Sequence, residues 1–337
     1  MTRIVVFGAG AIGCWVGGRL AAGGCDVTLV GRSRVLDELR NGLKTSELHG
    51  GTRTAKPALS TDSAVVETAD LVLVTVKSAA TAGAAQEIGP KLGPKTIVVS
   101  LQNGVRNVPT LREALPRRAV IAGMVPFNVI WNGPGHYHRA SGGKLMFDSI
   151  DIASSFSEAC LRADVAFELR DDMPGVQWAK LVMNLNNAIN ALCGLPLAAE
   201  LSDHAFRSCL ALAQREAIDM IRAAREPLAR VTLIPTAWMP RLLTLPNTIF
   251  DLLAGRVVAI DPTARSSMWD DLNAKRPTEI DYINGEIVRL AGKLSRPAPV
   301  NGNLVSLIRA AEQGGRRDFK GDELYRLLSS ALKQPTA

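Results

Sequence analysis

Six residues near the start of the chain have the types and spacing that phosphate binding requires. Residues 8–13 read GAGAIG, a complete G-x-G-x-x-G motif, and they directly follow a short apolar segment at residues 4–7. Gly8 permits a tight turn, Gly10 lets the backbone approach a pyrophosphate, and Gly13 lets a helix pack closely on the strand. The start of that helix presents free N–H groups and a positive dipole end. In this context the motif predicts a dinucleotide site, and a glycine-rich turn without a ligand is the alternative.

The residues after the second apolar segment indicate which dinucleotide is bound. Residues 31–34 read GRSR, directly after the apolar residues 27–30, and they contain no acid. A site for NAD places a carboxylate there to bond the ribose 2'-hydroxyl, whereas a guanidinium binds a 2'-phosphate through paired hydrogen bonds. The sequence therefore predicts NADP, bound by Arg32 with help from Ser33 or Arg34, and a solvated Arg32 is the alternative.

Polar residues also follow two later apolar segments. Lys77 and Ser78 come after the segment 71–76, and Asn103 follows the segment 97–101 after one glutamine. Open α/β sheets bind ligands at the carboxyl ends of their strands, so Lys77 and Asn103 are candidates for contact with cofactor or substrate. A solvated lysine and an ordinary Asn-Gly turn are the alternatives.

A helix in the second half of the chain carries a polar stripe. Residues 178–192 repeat apolar side chains at intervals of three and four, which predicts one buried face of a helix. Lys180, Asn184 and Asn187 lie on a neighbouring stripe at positions i, i+4 and i+7. Because buried polar groups must find partners, the stripe indicates either a functional site or a solvated lysine with amides bonded to other helices.

A further helix is predicted to begin near residue 278. Thr278 followed by Asp281 resembles a capping box, which places Glu279 in the first turn, where the helix dipole stabilises an ionised carboxylate. Glu279 is therefore either a dipole-stabilising acid or an acceptor for a substrate donor. Upstream, residues 266–271 read SSMWDD, a polar cluster that composition alone does not explain.

The elements that must position these residues change character halfway along the chain. In the first half, short apolar segments alternate with helix-like stretches, a pattern typical of a doubly wound α/β sheet. The six predicted strands are residues 4–7, 27–30, 71–76, 97–101, 120–125 and 144–147. The last of them follows a Gly-Pro-Gly interruption and is expected to run antiparallel. From residue 172 helical periodicity takes over, and residues 228–260, which lack a simple period, are expected to form short helices and loops.

Composition limits the class of protein. A chain of 337 residues is long enough for about two domains, and its 47% hydrophobic content is typical of globular proteins. No apolar run reaches the ~18 residues that a membrane span needs, and the apolar start is too short for a signal peptide. We therefore expect a cytoplasmic protein that does not enter a membrane.

Charge and cysteine content bear on partners and metals. The net charge of +7 comes from dispersed basic residues, so no nucleic-acid partner is expected. An anionic cofactor and an acidic substrate account for this balance equally well. The five cysteines never form Cys-x-x-Cys and are expected to be small buried hydrophobes. His136 and His138 alternate as on a strand but lack a third ligand nearby, so no metal site is expected.

The chain resembles the ketopantoate reductase (2-dehydropantoate 2-reductase) family over nearly its whole length. The resemblance rests on the glycine motif, residues 76–78, residues 102–104, Lys180 with Asn184, residues 266–268 with Asp271, and residues 278–285. It implies an N-terminal Rossmann domain over residues 1–171 that binds NADP, and an all-helical substrate and catalytic domain over residues 172–337. It also implies an active site in the cleft between these domains.

The resemblance further implies a reaction and roles for individual residues. In the family, NADPH delivers a hydride to a 2-oxo carbon, which converts 2-dehydropantoate to pantoate in pantothenate biosynthesis. By this likeness the Lys180 ammonium stabilises and protonates the developing alkoxide, and Glu279 bonds the substrate hydroxyl. Asn184 and Ser267 orient the substrate, and Asn103 lies beside cofactor and substrate. With the residues argued above, the expected cofactor-binding set is Gly8, Gly10, Ala11, Ile12, Gly13, Arg32, Lys77 and Asn103.

One position departs from the family pattern, so substrates other than 2-dehydropantoate remain alternatives. Family members often carry a second substrate-contacting asparagine eight residues after the lysine, where this chain has Ala188. Asn187 is adjacent, but it cannot point the same way without a helix adjustment. The alternatives are a dehydrogenase of another hydroxy acid or of an opine-like substrate, and a non-catalytic NADP sensor. A small 2-oxo acid and a second copy of the chain in a homodimer are the candidate partners.

Overall fold

Two compact units make up the chain, Met1–Met173 and Pro174–Ala337. The boundary lies two residues beyond the predicted position between residues 171 and 172. The computed structural model describes residues 2–48, 50–254 and 263–332. No helix within these ranges is long and apolar enough to cross a membrane.

Twelve strands form two sheets in the described residues of the first unit. They are β1 (Arg3–Phe7), β2 (Asp26–Val30), β3 (Leu43–Glu47), β4 (Arg53–Ala55), β5 (Ala58–Ser60), β6 (Leu71–Val74), β7 (Ile97–Ser100), β8 (Ala119–Met124), β9 (Val129–Trp131), β10 (His136–Arg139), β11 (Leu145–Asp148) and β12 (Phe167–Arg170). The six predicted strands are confirmed as β1, β2, β6, β7, β8 and β11.

The larger sheet has eight strands in the order β12-β11-β8-β7-β6-β1-β2-β5. The six neighbouring strands β8, β7, β6, β1, β2 and β5 pair in parallel. Strand β11 pairs antiparallel with β8, as predicted. All four residues of β6 are buried, because helices and strands cover both faces of a parallel sheet, and this explains its unbroken apolar sequence. The order is that of a Rossmann fold, and the chain reverses direction across the sheet between β1 and β6, where such sheets bind ligands.

A smaller sheet of order β4-β3-β10-β9 is absent from the sequence-based prediction. Its strands β3 and β10 read LKTSE and HYHR, which are too polar to stand out as apolar segments. Helix α1 (Ala11–Ala22) lies between the two sheets. A Cβ on Gly17 would lie 2.6 Å from Leu29 of the larger sheet, and one on Gly18 would lie 2.8 Å from Leu43 of the smaller sheet. Glycines thus let α1 pack closely on both sides.

Fifteen α-helices lie in the described residues. They are α1 (Ala11–Ala22), α2 (Ser33–Leu39), α3 (Thr81–Ile88), α4 (Asn107–Ala114), α5 (Ser154–Arg162), α6 (Met173–Asn184), α7 (Asn186–Cys193), α8 (Leu197–Ser202), α9 (His204–Ala223), α10 (Met239–Leu243), α11 (Asn247–Ala254), α12 (Ser267–Asn273), α13 (Asn284–Lys293), α14 (Pro299–Glu312) and α15 (Gly321–Ala331). The regular elements described in the second unit are all helical, which confirms the expected fold class.

A buried arginine holds α10 and α11 against α9. Arg207 is fully buried, and its guanidinium donates to the Leu243 carbonyl oxygen at 3.2 Å and to Asn247 Oδ1 at 2.7 Å. These oxygens compensate the desolvated charge. The short helices expected between residues 228 and 260 are confirmed as far as residue 254, and residues 255–260 lie outside the described residues.

Candidate functional site

The turn between β1 and α1 requires glycine at two positions and leaves a third open. Gly8 has φ +120°, and a Cβ there would lie 2.7 Å from the Val76 backbone nitrogen. A Cβ on Gly13 would lie 2.1 Å from the Gly8 carbonyl oxygen. At Gly10, no atom of the described residues other than the glycine itself and its two chain neighbours lies within 4 Å of the Cβ position. Steric crowding therefore explains Gly8 and Gly13, whereas the open space at Gly10 fits the close approach of a ligand.

The start of α1 offers backbone donors to an anion. Gly10 is the N-cap residue and supplies no side-chain acceptor, so no cap bond satisfies the first-turn N–H groups of Ala11 and Ile12. The Gly8 N–H donates to the Val30 carbonyl oxygen at 3.0 Å, which fixes the turn against the end of β2. The uncapped donors and the positive end of the helix dipole fit a pyrophosphate.

Arg32 stands at the end of β2, close in sequence and space to the glycine turn. It precedes α2, its backbone is extended and its side chain is exposed, as are those of Ser33 and Arg34. The preceding Gly31 lies against the turn, because a Cβ there would approach Ala9 Cβ to 2.5 Å. The Arg32 guanidinium is therefore available at the carboxyl edge of the sheet, where a 2'-phosphate ligand is expected.

Hydrogen bonds join the loops that follow β6 and β7. The Ser78 hydroxyl donates to the Asn103 carbonyl oxygen at 2.9 Å, and the Asn107 side-chain amide donates to the same oxygen and to Ser78 Oγ. Thr81 Oγ1 in turn donates to Asn107 Oδ1 at 2.7 Å. The structure thus brings Asn103, which is half-buried, to the loop that carries the exposed Lys77.

The structural role of three buried residues in this network is not predicted from the sequence. Thr81, Gln102 and Asn107 are all buried, and Gln102 Nε2 donates to the Val76 carbonyl oxygen at 2.9 Å and to Thr81 Oγ1 at 2.7 Å. They bond to the loops themselves, so their role is to hold the loops in place. Uncharged polar residues in the loop after a strand or at the start of the next helix are the available signal, but their pairing across more than 20 residues depends on the sheet.

The predicted polar stripe of the second unit spans two helices instead of one. Helix α6 ends at Asn184 and α7 begins at Asn186, so the continuous helix expected over residues 178–192 is interrupted at Leu185. Leu185 nevertheless keeps helical backbone angles, and its N–H donates to the Leu181 carbonyl oxygen at 3.1 Å. The interruption is therefore confined to Leu185, whose own backbone stays helical.

The stripe is the less buried side of α6 and α7. Lys180 and Asn187 are half-buried and Asn184 is 8% exposed, whereas Ala188 is fully buried. The side chain accessible after the interruption is therefore that of Asn187 and not that of Ala188.

Burial makes the Lys180 ammonium a weaker base than an ordinary lysine. Desolvation disfavours the charged form and lowers the pKa of Lys180 from 10.5 to about 8. A general acid is most effective when its pKa lies near the operating pH. Lys180 therefore remains protonated at neutral pH but can release its proton readily.

Ser267 is the first residue of α12, and its neighbour holds that helix against α7. Ser266 Oγ accepts the N–H of Trp269 at 3.1 Å, which is the N-cap bond of α12. The same hydroxyl donates to the Asn187 carbonyl oxygen at 3.1 Å. The structure thus brings the exposed Ser267 to the end of the polar stripe.

The capping box expected around Glu279 is wrong. The Thr278 N–H donates to Glu312 Oε1 at 2.8 Å instead of to Asp281, because the end of α14 supplies the acceptor that the box requires. A 3-10 turn over Ile280–Tyr282 follows, and α13 begins only after it. Glu279 is half-buried and stands before this turn, outside the first turn of an α-helix.

The remaining reactive side chains that the sequence singled out are the cysteines and two histidines. All five cysteines are buried and free, as expected, and burial raises the pKa of Cys14 and Cys193 to about 12. His136 and His138 face the same side, and both imidazoles hydrogen-bond Ser46 Oγ at 2.8 Å. In the part of the chain that the structure describes, no group of three or more His, Cys, Asp or Glu residues could hold a metal ion.

Comparisons with known proteins cover both units. Residues 4–151 match the family model described as ketopantoate reductase PanE/ApbA, and residues 172–312 match the model of its C-terminal part. A 2-dehydropantoate 2-reductase of Halobacterium salinarum is 30% identical over 327 residues, which cover 93% of this chain and 100% of that protein. One from Archaeoglobus fulgidus is 28% identical over 329 residues, covering 93% and 98%.

A solved structure shows the same likeness. The crystal structure of a PanE/ApbA family ketopantoate reductase from Ralstonia eutropha superimposes with a TM-score of 0.79 at 30% identity, and the match covers 93% of this chain and 99% of that one. The roles of individual site residues in this chain stay predictions.

Two glycine substitutions should separate the fold of the turn from ligand binding. Gly13→Ala places a methyl group against the Gly8 carbonyl oxygen, so it should lower the free energy of unfolding by about 1–3 kcal/mol or more. Gly10→Ala meets open space and should cost at most about 1 kcal/mol of stability, while weakening dinucleotide binding about tenfold or more. Thermal denaturation and titration with NADPH measure the two effects.

The matched pair also contains its own control. Equal losses of stability in both variants, or undiminished dinucleotide affinity in a folded Gly10→Ala protein, would contradict the assignment of phosphate contact to Gly10.

Proposed function

The chain belongs to the ketopantoate reductase PanE/ApbA family, and from this premise we propose that it reduces 2-dehydropantoate to pantoate with NADPH. The observation that carries the proposal is the half-buried Lys180, whose desolvated ammonium has a pKa of about 8. Lys180 lies on α6 together with Asn184. A lysine of this kind suits proton donation at neutral pH.

The first unit has residues that fit the cofactor. The open space at Gly10 and the uncapped N–H groups of Ala11 and Ile12 would hold the pyrophosphate, and the exposed Arg32 would bind the 2'-phosphate. Bound NADPH supplies the hydride that reduces the 2-oxo carbon. Lys77 would neutralise phosphate charge from the neighbouring loop.

Residues of the second unit supply the proton and orient the substrate. As negative charge develops on the 2-oxo oxygen, the Lys180 ammonium stabilises it and transfers a proton to it from Nζ. Asn184 and Ser267 donate or accept hydrogen bonds to hold the substrate, and Glu279 accepts a hydrogen bond from its hydroxyl group. Such positioning accelerates the reaction because the reacting atoms need not find one another by diffusion.

Asn103 completes the set of proposed substrate contacts. Its carbonyl oxygen already accepts bonds from Ser78 and Asn107, which fix its backbone in the loop after β7. We assign its side-chain amide to the cofactor and substrate. A homodimer stays a prediction.

Another 2-oxo acid is the second candidate substrate. Ala188 is fully buried, and the accessible side chain near that point of α7 is Asn187. An amide displaced by one residue along a helix points in another direction, about 100° away. A 2-oxo acid whose polar group, at the end away from the 2-oxo carbon, differs from that of 2-dehydropantoate would suit that arrangement. Assays with a panel of 2-oxo acids distinguish the two candidate substrates.

Turnover assays of a lysine variant test the proposed function. The wild-type protein should oxidise NADPH in the presence of 2-dehydropantoate, and Lys180→Ala should lower kcat by about 100- to 10,000-fold, the usual contribution of a general acid. Lys293→Ala, which changes an exposed lysine of the same unit, is the matched control and should leave kcat unchanged. Absorbance at the NADPH band measures both.

Each other outcome has a definite meaning. Turnover of another 2-oxo acid alone would replace the substrate and keep the reaction class. Full activity in Lys180→Ala would remove the proposed mechanism, and tight NADPH binding with no turnover of any tested acid would favour a sensor.

The pH dependence of the two reaction directions should be opposite. Reduction consumes the ammonium form of Lys180, so its kcat should fall about tenfold per pH unit above about 8. Oxidation of pantoate by NADP⁺ requires the neutral amine, so its kcat should rise with pH up to the same value. Steady-state rates measured in both directions from about pH 6 to about pH 10 test these opposite pH dependences. Equal slopes in both directions would exclude Lys180 as the titrating group.

Cofactor preference should depend on Arg32. Arg32→Ala removes a charge-assisted bond to the 2'-phosphate, so it should raise the KM for NADPH about 10- to 100-fold and leave the KM for NADH nearly unchanged. Arg40→Ala removes another exposed arginine next to α2, whose pairing with Asp37 at 2.9 Å is a weak surface interaction, and it is the matched control. Equal losses with both cofactors would instead indicate damage to the fold.

A further inference from the structure

A carboxyl group is fully buried in the second unit without a cation. Glu200 on α8 is 0% exposed, and none of the ion pairs formed by the described residues includes it. Its polar partners are side-chain amides of α7: Asn190 Nδ2 donates to Glu200 Oε2 at 2.6 Å, and the Asn186 amide interacts with the same carboxyl group. An ionised carboxylate in this environment would carry an uncompensated buried charge.

Two orphaned acceptors indicate the protonation state of this group. Glu200 Oε1 and Asn186 Oδ1 are both buried and accept no hydrogen bond in the described structure. A proton on the carboxyl group would remove the negative charge that burial leaves without a cation, which lowers the cost of burying a carboxyl oxygen that no donor reaches. Burial accordingly raises the pKa of Glu200 from 4.5 to about 8.

Asn190 connects this carboxyl group to the start of α12. Asn190 is fully buried, and its Oδ1 accepts the Ser266 N–H at 2.8 Å. Its Nδ2 also donates to the Leu195 carbonyl oxygen at 3.0 Å. Ser266 is the N-cap of α12 and also bonds the Asn187 carbonyl oxygen, so one chain of hydrogen bonds joins α8, α7 and α12.

We infer that neutral Glu200 is a positioning residue: by orienting Asn190 it fixes Ser266, and thereby the place of Ser267 relative to the polar stripe of α6 and α7. This inference rests on the proposed function, which assigns Ser267 to the substrate. A neutral carboxyl group both donates and accepts, so it can hold two amides in one orientation, which an apolar side chain of the same size cannot.

Neighbouring titratable groups do not obscure a test by pH. The thiols of Cys193 on α7 and Cys209 on α9 are close enough for Glu200 to raise their pKa, and burial raises the pKa of both far above neutrality. Asp203, at the start of α9, and Arg265 are the charged residues that act on these thiols. A change that depends on Glu200 between about pH 5 and pH 8 therefore reflects its own carboxyl group.

Two variants of Glu200 distinguish positioning from bulk stability. Glu200→Gln keeps a neutral donor and acceptor and should leave the KM for the 2-oxo acid within about twofold of wild type. Glu200→Ala should raise that KM about tenfold while the KM for NADPH stays within about twofold, because only the substrate contact is displaced. Steady-state kinetics with each substrate varied in turn measures this split.

Thermal denaturation supplies a readout that does not depend on activity. In the unfolded chain Glu200 ionises near its ordinary pKa, whereas in the native protein it stays protonated up to about pH 8. Unfolding therefore releases a proton, and the melting temperature of wild type should fall relative to that of Glu200→Gln as pH rises from about 5 to about 8. Parallel curves for the two proteins would overturn the neutral carboxyl group.

The remaining outcomes are also decisive. A KM that rises equally for acid and NADPH in Glu200→Ala, or a Gln variant as impaired as the Ala variant, would overturn the positioning role. If Glu200→Ala does not fold, Ser266→Ala carries the same expectation of a selective rise in the KM for the acid, and an unchanged KM there would overturn it. A wild-type protein that turns over no 2-oxo acid would instead refute the proposed function, while the melting curves still test the carboxyl group.

Discussion

A contact between backbone atoms, at the point where Gly13 of α1 meets the carbonyl oxygen of Gly8, sets the geometry of the first unit. A Cβ on Gly13 would lie 2.1 Å from that oxygen, so α1 reaches β1 only because no side chain intervenes. Thr75 Oγ1 donates to the same oxygen at 2.6 Å, which ties the end of β6 to the turn. Strand β1, helix α1 and strand β6 therefore meet where the strand order reverses, and the uncapped start of α1 is available at the carboxyl edge of the sheet.

Desolvation, and not close backbone contact, governs the chemistry of the second unit. Burial lowers the pKa of Lys180 and raises that of Glu200, in each case because a low-dielectric environment disfavours the charged form. The lower pKa suits Lys180 to the proton donation proposed for it at neutral pH, and the higher pKa favours the neutral form inferred for the Glu200 carboxyl group. The asparagines of α7 link these effects, since an amide can donate and accept without adding charge.

Much of the first unit could be predicted because its signals are local. The apolar strands, the glycine motif and the exposed Arg32 each depend on a few consecutive residues, and the antiparallel β11 followed from an interruption in the pattern. The smaller sheet was not predicted because the sequences of β3 and β10 are polar. These strands are recognisable only from their packing against α1. In the second unit, the capping box at Thr278 failed because a carboxylate 34 residues away, Glu312, took the place of the local acceptor.

The sequence by itself determined the fold class, the family and the identity of the candidate site residues, because periodicity, glycine spacing and residue type are properties of neighbouring positions. Only the tertiary structure decided how those residues are held. Hydrogen bonds join the loops of Lys77 and Asn103, and others lead from Glu200 through Asn190 to Ser266, so both sets depend on residues that are distant in the chain. The accessible side chain on α7 is that of Asn187 and not that of the buried Ala188, which depends on how the helix packs. Burial likewise sets the pKa values of Lys180 and Glu200, since desolvation depends on what packs around a group and not on its neighbours in the chain.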